Sequence, residues 1–186
     1  MLCGRRSRRC QPAASALPII RKDSELALLS KLGYTVVAAT GKAAEKTSLK
    51  QLGAASIMDR AELASPGKPL QKERWAAVVD AVGSHTLVNA CAQTRFGGVV
   101  ATCGLAQGAD FLATVMPFIL RSITLAGIDS VMAPLAKRQQ ALDRLATDLD
   151  AAKLEAIASE VPLAHAAQMA AKLMAGTVRG RVIVKI

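Results

Sequence analysis

The chain has 186 residues, 52% of them hydrophobic and only 3% aromatic, with a formal net charge of +10. That length holds one α/β domain and no second full domain, and a core of Ala, Val, Leu and Ile suits helices on a buried parallel sheet. Its apolar runs, each broken by Gly, Pro or Arg, fall short of the roughly 20 residues of a membrane-spanning helix, so a soluble protein is expected.

In chain order, residues 1–23 read first as a basic leader. Arg5, Arg6, Arg8, Arg9, Arg21 and Lys22 precede the first acid, Asp23, which leaves 18 bases against 14 acids in the rest. The positive excess is therefore mostly a property of the leader, which has no interleaved aromatics and no recognised motif, and nucleic acid is not an expected partner. An unstructured extension is the plain reading. A targeting segment is the alternative, although the short apolar run Ala13 to Ile20 is interrupted by Pro18.

From Glu25 onward, helix and strand patterns alternate with short loops, which is the signature of βαβ units. Asp23 or Ser24 caps a helix ending at Gly33, and Tyr34 to Ala39 is a strand. A helix from Lys42 or Ala43 to Leu52, stopped by Gly53, leads to the short strand Ala55 to Met58. The loop Asp59 to Gln71, with Pro66, Gly67 and Pro69, precedes the buried strand Trp75 to Val82. Ser84 caps a helix ending near Thr94, and Gly97-Gly98 turn the chain into the strand Val99 to Cys103. Beyond Pro117 come the strand Ile123 to Ile128, a helix over Pro134 to Leu149, a helix over His165 to Met174 stopped by Gly176, and the strand Arg181 to Lys185, expected to complete the unit. The fold expected is α/β, a Rossmann-like doubly wound parallel sheet over 24–186.

In such a sheet a ligand lies at the carboxyl ends of the strands. After the strand ending at Ala39, an NAD enzyme usually has an acid for the ribose hydroxyls. Here stand Thr40, Gly41 and Lys42, a hydroxyl, a close-approach glycine and a cation that suit a 2′-phosphate, or else a helix cap with a solvated lysine. Val82-Gly83-Ser84 and Cys103-Gly104-Leu105-Ala106 occupy two further strand tips, where glycine either admits a ligand or simply makes the turn. Arg121, Arg179 and Arg181 are candidate anion contacts, and His85 in a first helical turn has no paired acid or nucleophile. No catalytic residue is assigned. Cys3, Cys10, Cys91 and Cys103 form no Cys-x-x-Cys pair, and with His85 and His165 they offer no zinc spacing, so no metal and a reducing cytoplasm are expected. The window Ala16 to Lys22, where a Gly-x-Gly-x-x-Gly turn belongs, holds no glycine. The first strand and the glycine-rich loop are expected to be missing or replaced, with Pro18-Ile19-Ile20 a candidate for the strand's slot and weak dinucleotide binding the consequence.

Ala27-Leu28-Leu29-Ser30-Lys31-Leu32-Gly33-Tyr34, Thr40-Gly41-Lys42, Trp75 to Gly83, Arg95-Phe96-Gly97-Gly98, Cys103 to Ala106, Pro117 to Arg121, Gly127 to Val131 and Gly180 to Val184 stand in one order over most of the chain. From Leu28 to Ile186 the sequence resembles the cofactor-binding domain of medium-chain reductases of the acrylyl-CoA reductase and quinone-oxidoreductase type. The resemblance implies a zinc-free, cytoplasmic, often dimeric reductase that passes hydride from NADPH to the β-carbon of an enoyl thioester such as acrylyl-CoA, or to a quinone-like acceptor. It implies cofactor contacts at Thr40, Gly41, Lys42, Gly104, Leu105 and Arg181, to which the strand-tip reading adds Val82, Gly83 and Cys103, and a homodimer through the strand Ile123 to Ile128. Full-length members of that family carry a GroES-like catalytic domain ahead of this region, which is expected to be absent here. A truncated or frameshifted product with little activity of its own is expected, the alternative being a non-catalytic dimerising module or pseudo-enzyme.

Overall fold

A computed structural model describes residues 23–186 and, as backbone alone, residues 16–20. The leader's cluster of arginines, with Cys3 and Cys10, lies outside the described residues. Six parallel strands form the main sheet: β1 (Ala16–Ile20), β2 (Thr35–Thr40), β3 (Ser56–Asp59), β4 (Trp75–Asp80), β5 (Thr94–Thr102) and β6 (Thr124–Gly127). Their spatial order is β3-β2-β1-β4-β5-β6, the two-halved order of a Rossmann dinucleotide-binding sheet, whose switch point falls between β1 and β4.

The central slot is therefore filled. β1 pairs with β2 along its whole length, from Ala16↔Thr35 to Ile20↔Ala39, but meets β4 only at Ile19↔Val79. Pro18 has no N–H to give a ladder, which fits such sparse pairing. The leader boundary at residue 23 thus includes a strand of the sheet, and the first strand is replaced rather than missing.

Both faces of the sheet are covered because its strands are apolar on both sides. In β2, Val36 and Ala38 pack with Leu26, Leu49, Leu52, Ala54 and Ile157 on one face, and Val37 and Ala39 join Met58, Leu63, Trp75, Val78, Leu87, Ala90 and Val100 on the other. That is the period-2 alternation of a strand. The first face is roofed by α1 (Asp23–Lys31) and α2 (Lys46–Leu52), and the second by α3 (Ser84–Gln93) and α4 (Met116–Arg121). Eight of ten α3 residues are buried, among them Asn89 and Gln93. Their amides are satisfied: Asn89 donates to the carbonyls of Leu63 and Ser65, Gln71 donates to Asn89, Gln93 donates to Gln71, and the Trp75 indole donates to Gln93. This network fastens the loop after β3 to α3, and a Cβ on Gly67 would stand 2.0 Å from Asn89 Oδ1.

The C-terminal part differs from expectation in holding an extra helix and an extra strand and in where its last strand pairs. After α5 (Leu135–Asp148) and α6 (Ala151–Ile157) comes a strand, β7 (Ala158–Pro162), and after α7 (Ala166–Met174) the last strand, β8 (Arg181–Lys185). β7 and β8 pair in parallel as a separate two-stranded sheet, so β8 does not complete the main one. No described helix is long and apolar enough to cross a membrane.

Candidate functional site

The carboxyl ends of the six strands line one edge of the sheet. At its β2 end, the Thr40 hydroxyl accepts the Lys42 N–H at 3.1 Å and donates to Glu45 at 3.2 Å. It acts as a turn former, and the 3-10 turn that follows carries no side-chain cap at Lys42. The Lys42 ammonium turns away from the strand tips: it donates to the Gly176 carbonyl and pairs with Glu45 at 3.6 Å. Gly41 remains open, since the nearest atom a Cβ would meet is the Arg60 guanidinium, 3.8 Å away. Arg60 follows β3 directly, while Asp59 Oδ1 accepts the Ala61 N–H at 2.8 Å. Thr40, Gly41, Lys46, Lys50 and Asp59 line one groove beside these residues. Strand-end reasoning applied to β3, as it was to β2, would have found Arg60; the sequence reading passed it over as the start of a loop.

The β4 and β5 tips are used differently. Gly83 sits at φ +73° and forms a bridge with Gly108, and an added Cβ would stand 2.4 Å from the Gly108 carbonyl oxygen. A Cβ on Gly104 would stand 2.5 Å from the Ala81 oxygen. The two loops are zipped by Gln107 N–H to Val82 O at 2.8 Å, Cys103 N–H to Asp80 O at 2.8 Å, Ser84 Oγ to Asp110 at 2.9 Å and Thr86 Oγ1 to Gln107 at 2.7 Å. These glycines serve the approach of protein backbone to protein backbone. Val82 lies in the core, Cys103 is half-buried with its thiol toward Asp80 O, and Leu105 is exposed at the rim.

Asp80 holds this corner together. Fully buried, it accepts N–H bonds from Val82 at 3.2 Å and Gly83 at 3.0 Å and the Thr102 hydroxyl bond at 3.1 Å. Burial pushes its carboxyl above the usual value, against the pull of those donors. Burial, with the Asp80 charge, also pushes the Cys91 thiol up to about 12, so Cys91 is an inert packing group.

The three candidate arginines fall in two places. Arg121 is no open anion contact: it donates to the carbonyls of Ala92, Thr94 and Gln71 and pairs with Glu73 at 3.3 Å, closing the C-terminal end of α3. Arg179 and Arg181 line a cleft over the head of α1 with Asp23, Glu45, Ser48 and Gly176. Among the described residues no group of three or more His, Cys, Asp and Glu could hold a metal.

The sequence profile described as "Zinc-binding dehydrogenase" matches residues 26–147. The chain belongs to this family. It is 44% identical over 164 residues to a probable acrylyl-CoA reductase, AcuI, of Escherichia coli, covering 88% of this chain and 50% of that one. The yhdH oxidoreductase of Salmonella enterica, solved in complex with NADP, superposes with a TM-score of 0.90 at 41% identity, over 95% of this chain and 56% of the other. The yhfP protein of Bacillus subtilis, solved with NAD bound, gives a TM-score of 0.88 at 35% identity, over 95% and 56%. The chain thus spans about half the length of the curated relatives it matches. Family membership and the Rossmann-type sheet agree with the sequence reading.

A dinucleotide tests the crevice at two places. The β2–β3 end fits a 2′-phosphorylated adenosine, with an open glycine and an adjoining guanidinium. The β1–α1 turn lies outside the described residues. In sequence it is Arg21-Lys22, without the glycines of a phosphate cradle, and α1 follows from Asp23.

Proposed function

We propose that this chain is the nucleotide-binding half of an NADPH-dependent reductase of the zinc-binding dehydrogenase family. One observation carries the reading: Gly41 stands open between Thr40 and the Arg60 guanidinium at the β2–β3 end of the crevice. A ribose lying over β2 would present its 2′-phosphate there, to the Arg60 cation, with Asp59 accepting the Ala61 N–H and Glu45 paired with Lys42. Relatives have been solved with NADP and with NAD, so the preference is argued from this chain's own residues. Arg60 and Lys46 would supply the charge; Lys42, held by Gly176 and Glu45, would shape the turn. Val82, Gly83, Cys103, Gly104 and Leu105 would form the wall beside the nicotinamide end, and Arg181 a late anion contact.

The activity that goes with this half is reduction of an enoyl thioester such as acrylyl-CoA, the substrate class named for the Escherichia coli relative, or of a quinone-type acceptor. In the proposed arrangement 24–186 is the cofactor domain of a cytoplasmic enzyme, and a GroES-like catalytic domain supplies the substrate pocket. Little turnover is expected of the chain alone. Titrating the folded chain with NADPH and, separately, with NADH tests the reading. At least a tenfold preference for NADPH is expected, reduced to near parity in Arg60→Ala; equal affinity for the two cofactors, or none for either, sinks it.

A second reading, a non-catalytic dimerising module or pseudo-enzyme, is favoured by the lack of glycine in the sequence from Ala16 to Lys22 together with the outer-edge position of β6 in the sheet. β6 would pair with its mate in a second copy and continue the sheet. Leu125→Pro would then convert a dimer to a monomer in sedimentation, and a wild-type chain that sediments as a monomer at all concentrations excludes it.

A further inference from the structure

We propose that the cavity at the tip of β6 is a second anion site, which holds the phosphate of a pantetheine thioester presented as hydride acceptor. The inference rests on the nucleotide-binding reading above and names the acceptor class that goes with it. β6 lies beside β5, with Gly127 paired to Thr102, the residue before Cys103 and Gly104. The chain then runs from Ile128 to Pro134 into α5, and the two segments border a cavity of about 660 Å³, within the roughly 300–1,000 Å³ of small-molecule sites. Its lining has two characters. Ile128, Met132 and Leu142 give it exposed apolar surface, while Ser130, Lys137 and Arg138 give it hydrogen-bond donors. Among the described residues, none of these three polar side chains makes a hydrogen bond or ion pair. The acid of the lining, Asp129, accepts the Val131 and Met132 N–H groups through Oδ1, at 2.8 and 3.1 Å, and two cations remain against one carboxylate.

A guanidinium, an ammonium and a hydroxyl around one space are a donor set for phosphate oxygens, and the apolar lining suits an aliphatic arm. Position along the sheet selects the ligand. The tips of β2 and β6 stand four strand spacings apart, about 19 Å, with β1, β4 and β5 between them. A dinucleotide that starts over β2 and crosses the switch point ends over the β4–β5 tips. The β6 cavity lies beyond that end, on the side away from the adenosine, where a hydride acceptor leaves the rest of its length. A quinone carries no group for the two cations, whereas a pantetheine thioester, whether of CoA or of a carrier protein, carries a phosphate at the far end of its arm. Of the two acceptors left open above, the cavity fits the thioester.

Calorimetric titration of the full chain with NADPH, CoA and 4′-phosphopantetheine, the last two repeated in saturating NADPH, tests this, with circular dichroism to establish that each sample is folded. Both pantetheines are expected to bind, with affinities that NADPH changes by less than about threefold. Lys137→Ala together with Arg138→Ala should weaken both at least about tenfold, the scale of lost charged contacts, and leave NADPH unchanged. Arg60→Ala should do the reverse. Equal affinities for the two pantetheines identify the phosphate of the arm itself, which carrier-bound thioesters also present; CoA at least about tenfold tighter identifies CoA as the source, its further phosphates sharing the site. Displacement of CoA by NADPH, affinity untouched by the double variant, or a folded chain that binds neither pantetheine overturns the proposal, and the NADPH titration then decides the cofactor-domain reading separately. A folded chain that binds the pantetheines as expected but not NADPH sinks that reading and leaves the phosphate site standing.

Discussion

The two parts of this chain carry their aliphatic side chains in different ways. Between Leu26 and Val100 the strands are covered on both faces, and Leu26, Val36, Leu63, Trp75, Val78 and Val100 are each at most 2% exposed. From Asp129 onward only Ile157 is buried. α5 and α7 are amphipathic like α1, yet their apolar residues stand in the open: Leu135 is 78% and Met174 89% exposed. The β7–β8 pair has no buried residue, although parallel strands are normally covered on both faces. An apolar stripe thus becomes core only where another layer meets it. The first part contains its own second layer; the second part presents a surface made for one.

The largest effect that would test this contrast is Trp75→Ala. The indole is 2% exposed and donates to Gln93, so its removal leaves a cavity and an unpaired amide. A loss of about 3–5 kcal/mol is expected by the usual cost of large core truncations, read from the urea midpoint. A cost under 1 kcal/mol would mean that the second face of the sheet is not packed as described.

Next in size is Gly83→Ala. Its positive φ and the approach of the Gly108 carbonyl leave no room for a methyl group. The cost should be about 2 kcal/mol, from backbone strain with lost loop contacts, and the 103–110 loop should lose hydrogen-exchange protection. A variant that keeps both stability and protection would show that the two loops are not locked.

Asp80→Asn should act more weakly and with a pH signature. Burial raises the folded-state value of Asp80 above the ordinary 3.8. The folded form therefore keeps its proton where the unfolded chain has released it. Its contribution is fully present below the unfolded value and is lost as pH rises through the folded one. The stability difference, wild type minus variant, should fall as pH climbs from about 4 and level off above the folded value. The variant also loses one N–H acceptor, worth about 1 kcal/mol at all pH values. A difference independent of pH would mean that Asp80 does not titrate in this range.

What the sequence made legible follows the same divide. β2, β4, α3 and the strand-tip positions could be read because apolar periodicity and glycine stops mark elements that bury themselves. β1 was named only as a candidate filler, since Pro18 and its basic surroundings disguise a central strand. β7 was unreadable because Ser159 and Glu160 alternate with nothing that needs burying. At the site, Thr40 and Gly41 were legible as strand-end residues, whereas the engagement of Lys42 by Gly176, some 134 positions away, is a tertiary fact. The partners of Gly83 and Gly104 were hidden for the same reason: the 105–110 loop had first to fold back on Gly83, and Gly104 to meet the Ala81 carbonyl at the β4 tip.

The smallest expected effect is the one that most sharpens the contrast. Leu135→Ser and Met174→Ser remove apolar groups that contact almost nothing within the chain. In a dilute sample each should move the unfolding midpoint by no more than about 0.5 kcal/mol, as surface substitutions do. The same substitutions made on a buried leucine such as Leu26 would cost several times more, although the side chains removed are of similar size. Repeating the measurement across a hundredfold range of protein concentration separates a bare surface from a covered one. Anything that binds the folded state stabilises it by mass action, so a face covered by a second copy makes the wild type gain stability with concentration and the variants lose that gain. If the wild-type midpoint is independent of concentration and both substitutions are silent, the apolar face of α5 and α7 is uncovered in solution and a further layer remains to be supplied by another polypeptide. A substantial cost already present at the lowest concentration would mean that this part has a core of its own, and the contrast between the two parts of the chain would fall.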